Sequence, residues 1–143
     1  MFPFKLVSLS GVQFEGEVYE VLLPTLEGEI GVLKGHMPLV SVAKTGVIAV
    51  RKNPKDSDSD REFFATNGGV IEVEGGELRV LVDEADHADD INEAEAQAAY
   101  ERAQQMKAEA TDEVSLERAQ ALVDRHAVRL HVTSLKRRRQ GRR

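Results

Sequence analysis

The chain has 143 residues, 41% of them hydrophobic, with 25 acidic against 19 basic side chains and a formal net charge of −6. Six of the basic groups fall in Lys136 to Arg143, which leaves 13 basic against 25 acidic groups, a net of −12, over residues 1–135. Such an acidic body repels nucleic acid, and the absence of cysteine excludes disulfides, thiolate zinc sites, iron–sulfur clusters and cysteine nucleophiles.

Aromatic residues are 5% and tryptophan is absent, so the expected core is aliphatic. No apolar run approaches the roughly 20 residues that span a bilayer. Residues 1–8 lack the charged and long apolar regions of a signal peptide. The expectation is a soluble chain with no direct membrane insertion.

From the N-terminus to residue 83, short alternating runs recur. They are 5–9, 17–23, 29–33, 46–51, 62–66, 70–74 and 77–83, each bounded by Gly, Pro, Asn or Asp. Alternation with turn residues at this spacing predicts an all-β sandwich. Gly75-Gly76 is a hairpin signal, and Gly68-Gly69 reads as another turn. The polar stretch Asn53–Asp60 reads as an exposed hairpin loop. After Ala88 the period changes from 2 to 3.6. Asp90 and Glu93 fit a capping box, followed by a helix to about Ala110 with Ile91, Ala94, Ala98 and Met106 on its stripe. A break over 108–112 precedes a second helix over about 114–131, with Leu116, Ala119, Leu122, Val123, His126 and Leu130 on one face. The predicted fold is a β-sandwich (1–87), an antiparallel α-helical hairpin (88–135) and a basic tail (136–143). The hairpin stripe is Ala-rich, which predicts weak docking and a moving part.

Catalytic chemistry finds no footing. Gly28, Gly31 and Gly35 match neither dinucleotide nor phosphate-loop spacing. Residues 56–60 start like a calcium loop, but the sixth position is Arg61 and the twelfth Asn67. His36, His87, His126 and His131 have no chelating spacing; the last two lie about 140° apart on a helix. No metal site and no nucleophilic triad are expected, which favours a binding or regulatory role.

The segment Glu27-Gly-Glu-Ile-Gly-Val-Leu-Lys-Gly-His-Met-Pro-Leu39 is a strand, a glycine turn and a proline-fixed re-entry. It resembles the E-G-E-[IL]-G-[IL]-[LY]-P-G-H-x-P-L signature of the epsilon subunit of bacterial F-type ATP synthases. The resemblance extends to Gly46-Val-Ile, to Asn67-Gly-Gly-Val-Ile-Glu-Val and to the order of domains, and it departs at Lys34, where the family usually has Pro. It implies a non-catalytic central-stalk rotor subunit of a proton-translocating complex. Such a subunit sits on the cytoplasmic face of the inner membrane, with gamma, the c-ring and the alpha and beta subunits as partners. By position, Glu29 falls at the c-ring interface, and His36, Met37, Pro38 and Leu39 at the gamma interface.

The family's C-terminal hairpin inhibits ATP hydrolysis when extended and is compact otherwise. Some members hold it compact with ATP, through [IL]-D-x-x-R-A on the first helix and two arginines four apart on the second. Here Ile91 and Ala96 match, Asn92 and Glu95 replace Asp and Arg, and Arg125 and Arg129 match the pair. A carboxylate in place of a phosphate-binding arginine predicts weak or absent ATP binding and a pairing of Glu95 with Arg125 or Arg129. In the extended state Lys136, Arg137, Arg138 and Arg139 are expected to meet acidic surface on the catalytic head. The competing expectation is a free-standing β-sandwich ligand-binding module with an oligomerising hairpin.

Overall fold

A computed structural model describes the backbone of residues 1–141 and the side chains of residues 1–138. Eight strands come first: β1 (Phe2–Ser8), β2 (Gly11–Val18), β3 (Glu20–Thr25), β4 (Gly28–Leu33), β5 (Leu39–Arg51), β6 (Glu62–Glu74), β7 (Glu77–Val82) and β8 (Ala85–His87). Two helices follow, α1 (Glu93–Glu109) and α2 (Glu113–Gly141). The strand order is β2-β1-β7-β6-β5-β3-β4, with β8 added against β6. All pairs are antiparallel except β1 with β7.

The long strands β5 and β6 stay paired from Leu39–Val73 to Val50–Glu62 and so belong to both layers of the sandwich. Their inward parity flips on the way. Ala43, Ile71 and Val73 face the core at one end, Ile48, Val50 and Phe64 at the other. The flip occurs at Gly68-Gly69, where Gly68 has φ 101° and strand pairing continues on both sides. The diglycine is therefore a bend within one strand and not the expected turn, because only glycine permits this conformation and the close approach of the neighbouring strand. The expected runs 62–66 and 70–74 are one strand, and 17–23 spans the end of β2 and the start of β3.

The core between the layers is aliphatic with Phe2, Phe4 and Phe64, as the composition predicts. Leu6, Leu23, Ile48, Ile71, Leu78 and Val80 are fully buried, each contributing about 1.5–3 kcal/mol.

The helix start differs from expectation. Residues 88–90 form a 3-10 turn capped by His87, whose Nδ1 accepts from Asp89 N–H at 3.0 Å. The α1 cap is Asn92, whose Oδ1 accepts from Glu95 N–H at 3.0 Å. The buried stripe of α1 is Ala96 and Ala103; Ala94 is exposed and Met106 half-exposed, because the later start rotates the inward face. Asp112 caps α2, accepting from Ser115 N–H at 2.7 Å. Beyond His131, α2 continues to Gly141, so residues 136–141 of the basic segment are the end of a helix, and Arg142 and Arg143 lie outside the described residues. Lys and Arg are good helix formers, and cations are favoured at a helix C-terminus.

Candidate functional site

Two surfaces carry the residues of interest. The first is the outer face of the layer built from β2, β1, β7 and the ends of β6 and β5. Side chains there should be polar if the face met only water. Instead Val42 stands opposite Val70, Val70 opposite Leu81, Leu81 opposite Val7 and Val7 opposite Val12. This is an apolar row across five strands. Val42 is 52% exposed, Val70 43%, Leu81 51% and Val12 52%. The next row carries Glu15, Lys5, Arg79 and Glu72 in register, with Arg79 paired to Glu72 at 3.2 Å. An apolar strip with a charged border has the anatomy of a protein interface.

The 33–40 segment leads into this face. His36 N–H donates to Leu33 C=O at 3.1 Å, and Gly35 has φ 85°, matching the third position of a type II turn. Lys34 occupies the preceding position without preventing the turn. The His36 ring donates from Nδ1 to Met37 C=O at 2.7 Å. Met37 and Pro38 are exposed, while Leu39 packs partly against the core. Glu29 is exposed on β4, the sheet edge, next to a hairpin tip where Leu26 is exposed. Leu26 and the five-strand row were missed in sequence; an apolar residue at a two-residue turn was the available signal for the first.

The second surface is the docking face of the hairpin. Ala49, Phe63 and Ala65 on the outer side of the other layer pack with Ala88, Ile91, Ala96 and Val132. Val128, Leu130 and Leu135 join them, whereas Leu116 is exposed. Ion pairs border the contact. Arg125 pairs with Glu84, and Arg129 Nε lies 3.4 Å from Asp86 Oδ2 without hydrogen-bond geometry. Lys136 lies 3.5 Å from Asp89, and Arg137 3.1 Å from Glu93. Asn67 Oδ1 fixes the start of the linker by accepting from Glu84 N–H at 2.8 Å.

Among the described residues Glu95 pairs with neither arginine; it is exposed at the third position of α1, and the carboxylates facing the arginines come from the linker. Asn92 is spent as a helix cap. Ile91 and Ala96 are buried. Arg138 is exposed, and the Arg139 side chain lies outside the described residues.

Two histidines titrate unusually. Glu62, between His87 at 3.7 Å and Lys52 at 2.6 Å, is held down to about 2, chiefly by His87. His87 is raised in turn, chiefly by Glu62. His126 is lowered, first by burial, then by Arg125 and Arg129 on its own helix and Arg102 on α1; Glu84 opposes. Its Nδ1 is buried without a hydrogen-bond partner. Arg125 and Arg129 stay beside His126 in either state, so the part of the shift that belongs to docking is the burial, and through it the docked hairpin binds fewer protons than the free one. The contribution of His126 to docking is therefore fully present above the ordinary His range and is lost as pH falls through it. Between pH of about 7.5 and 5.5, protease cleavage of the hairpin should rise by up to about tenfold per pH unit. His126→Gln should flatten that response.

Family models match both parts of the chain. The ATP synthase delta/epsilon-chain β-sandwich domain covers residues 1–88, and the delta/epsilon-chain long α-helix domain covers residues 89–134. The ATP synthase epsilon chain of Bordetella parapertussis is 36% identical over 110 residues, 77% of this chain and 76% of that one. That of Dichelobacter nodosus is 33% identical over 118 residues, 81% and 80% of the two chains. The chain belongs to the ATP synthase epsilon-chain family.

An epsilon chain is a stalk subunit and not the catalytic subunit of its complex. The fold agrees with a chain of the Euglena gracilis mitochondrial ATP synthase (OSCP/F1/c-ring, cryo-EM). The TM-score is 0.74 at 21% identity, over 87% of this chain and 76% of that one. A chain of the Tetrahymena thermophila mitochondrial ATP synthase central stalk and c-ring gives a TM-score of 0.59 at 14% identity, over 92% and 95%. Among the described residues of this epsilon chain, no helix is long and apolar enough to cross a membrane.

Proposed function

We propose that this epsilon chain is a non-catalytic rotor subunit that couples c-ring rotation to the catalytic head through gamma. The observation that carries the reading is the apolar row Val12–Val7–Leu81–Val70–Val42, exposed at every position but the half-buried Val7, with His36, Met37 and Pro38 on the segment leading into it. This face seats gamma. Glu29 and Leu26, at the exposed β3–β4 hairpin, meet the polar loops of the c-ring. The structural neighbours come from F1/c-ring and central-stalk/c-ring assemblies, which supports this assignment. The subunit works on the cytoplasmic face of the inner membrane. Its test is copurification of the tagged chain with gamma, alpha, beta and the c-ring; a homo-oligomer free of ATPase would overturn it. The hairpin's apolar face is already spent on its own sandwich, which disfavours an oligomerising role.

The hairpin regulates hydrolysis: compact on the sandwich it permits rotation, extended along gamma it blocks it. ATP is not the ligand that holds it down. Arg125 and Arg129 already face Glu84 and Asp86, and Asn92 and Glu95 offer no cation. Titration of the isolated chain should give a Kd weaker than about 0.1 mM, near 5.5 kcal/mol; tighter binding would sink the claim. In the extended state the basic end of α2 contacts acidic surface of the head. Deleting residues 136–143 should raise ATP hydrolysis by the assembled complex, and unchanged hydrolysis across a range of salt would reject that contact.

A further inference from the structure

Four cations of α2 meet four carboxylates of the segment that leads into the hairpin, in the same order along both. The pairs are Arg125 with Glu84, Arg129 with Asp86, Lys136 with Asp89 and Arg137 with Glu93. The first two tie α2 to the exit of the sandwich, and the third ties it to the 3-10 turn at 88–90 that follows. The fourth ties the far end of α2 to the first residue of α1 and closes the hairpin on itself. The apolar part of the same dock is thin, since Ala49, Ala65, Ala88 and Ala96 make up most of its buried side chains. Single ion pairs at such exposure contribute little. Those that bridge α2 and the sandwich side form or break in one docking event and act together, and the fourth keeps the hairpin closed, so the series weighs on an equilibrium to which the apolar contact contributes little.

We propose that this series is an electrostatic latch: it holds the hairpin on the sandwich, and ionic strength sets the docked fraction. Release frees Arg125, Arg129 and Lys136 for another acidic surface. The latch rests on the regulatory reading above only for its consequence in the complex. Because the carboxylates lie on the linker side, the latch can be opened without touching a cation.

The full chain, which has no native cysteine, is spin-labelled at Lys44→Cys and Asp124→Cys. These positions border one cleft between β5 and α2, and neither belongs to the latch. Interspin distances are measured from about 0.02 M to about 1 M NaCl, where the screening length falls from over 20 Å to about 3 Å. The close population should dominate at low salt, and the undocked fraction should rise about 5- to 30-fold with salt. The variant Glu84→Gln/Asp86→Asn/Asp89→Asn/Glu93→Gln should be undocked already at low salt and nearly insensitive to it. Equal docked fractions in variant and parent at every salt overturn the latch. Should the fourfold variant lose its sandwich by circular dichroism, Asp89→Asn alone with the parent salt series decides, and a flat parent series overturns the proposal. In the complex, the carboxylate variants should lower hydrolysis, opposite in sign to deleting residues 138–143, which leaves all four latch cations in place. An undocked variant with unchanged hydrolysis upholds the latch and rejects the inhibitory reading.

Discussion

Leu81→Glu weakens binding to the gamma subunit by about 100-fold or more and leaves the fold intact. Leu81 stands in the middle of the apolar row, between Val7 and Val70. A glutamate there takes a carboxylate into a surface whose neighbours offer no cation within the row. Leaving such a charge unpaired under a partner costs about 3 kcal/mol or more, and every 1.4 kcal/mol is tenfold in affinity. In the isolated chain the side chain is half-exposed, so stability should change by no more than about 0.5 kcal/mol. Titration against isolated gamma and thermal melting of the free chain measure the two effects. Full affinity in the variant would show that this face is not the docking face. Loss of affinity together with a large drop in melting temperature would point to misfolding.

Gly69→Ala destabilises the sandwich by about 3 kcal/mol or more. A Cβ at Gly69 would lie 1.9 Å from the Leu81 carbonyl oxygen and 2.9 Å from the Val82 Cα. Both obstacles are backbone of the paired strand β7, so no rotamer change relieves the clash. The strands must separate where the chain passes between layers. For a domain of this size the melting temperature should fall by roughly 15 °C. Gly16→Ala is the control. Its Cβ would meet only Phe14 Cε1, at 3.9 Å, and it should change stability by no more than about 1 kcal/mol. Equal melting of the two variants would mean that the close approach at Gly69 has no energetic consequence.

These two positions also mark the limits of reading in sequence. The alternating runs and the shift to period 3.6 gave the sandwich and the hairpin, because half-buried strands and amphipathic helices print their periods locally. Gly68-Gly69 was misread because a diglycine is the same local signal whether the chain reverses or bends past a neighbour. The cause, Leu81, is known only once β7 is placed. The α1 start was misplaced because Asp90 with Glu93 and Asn92 with Glu95 have the same spacing, and the 3-10 turn at 88–90 decides between them. Charge patterning suggested partners for Arg125 and Arg129, but Glu84 and Asp86 reach them only through β8 lying against β6. The five-strand row is divided among segments far apart in the chain, and each strand contributes one unremarkable valine or leucine to it.

The parallel pairing of β1 with β7 has a consequence for how the chain is made. Phe4 lies opposite Leu78 and Val7 opposite Leu81, so the first strand to leave the ribosome is held in the interior of a sheet by one of the last. Until β7 is synthesised, β1 has only β2 beside it, and a lone hairpin is marginal in water. The outer layer therefore assembles late, across a long loop closure. The apolar face proposed to seat gamma is thus completed only by β7, the last strand before the short β8 that leads into the hairpin.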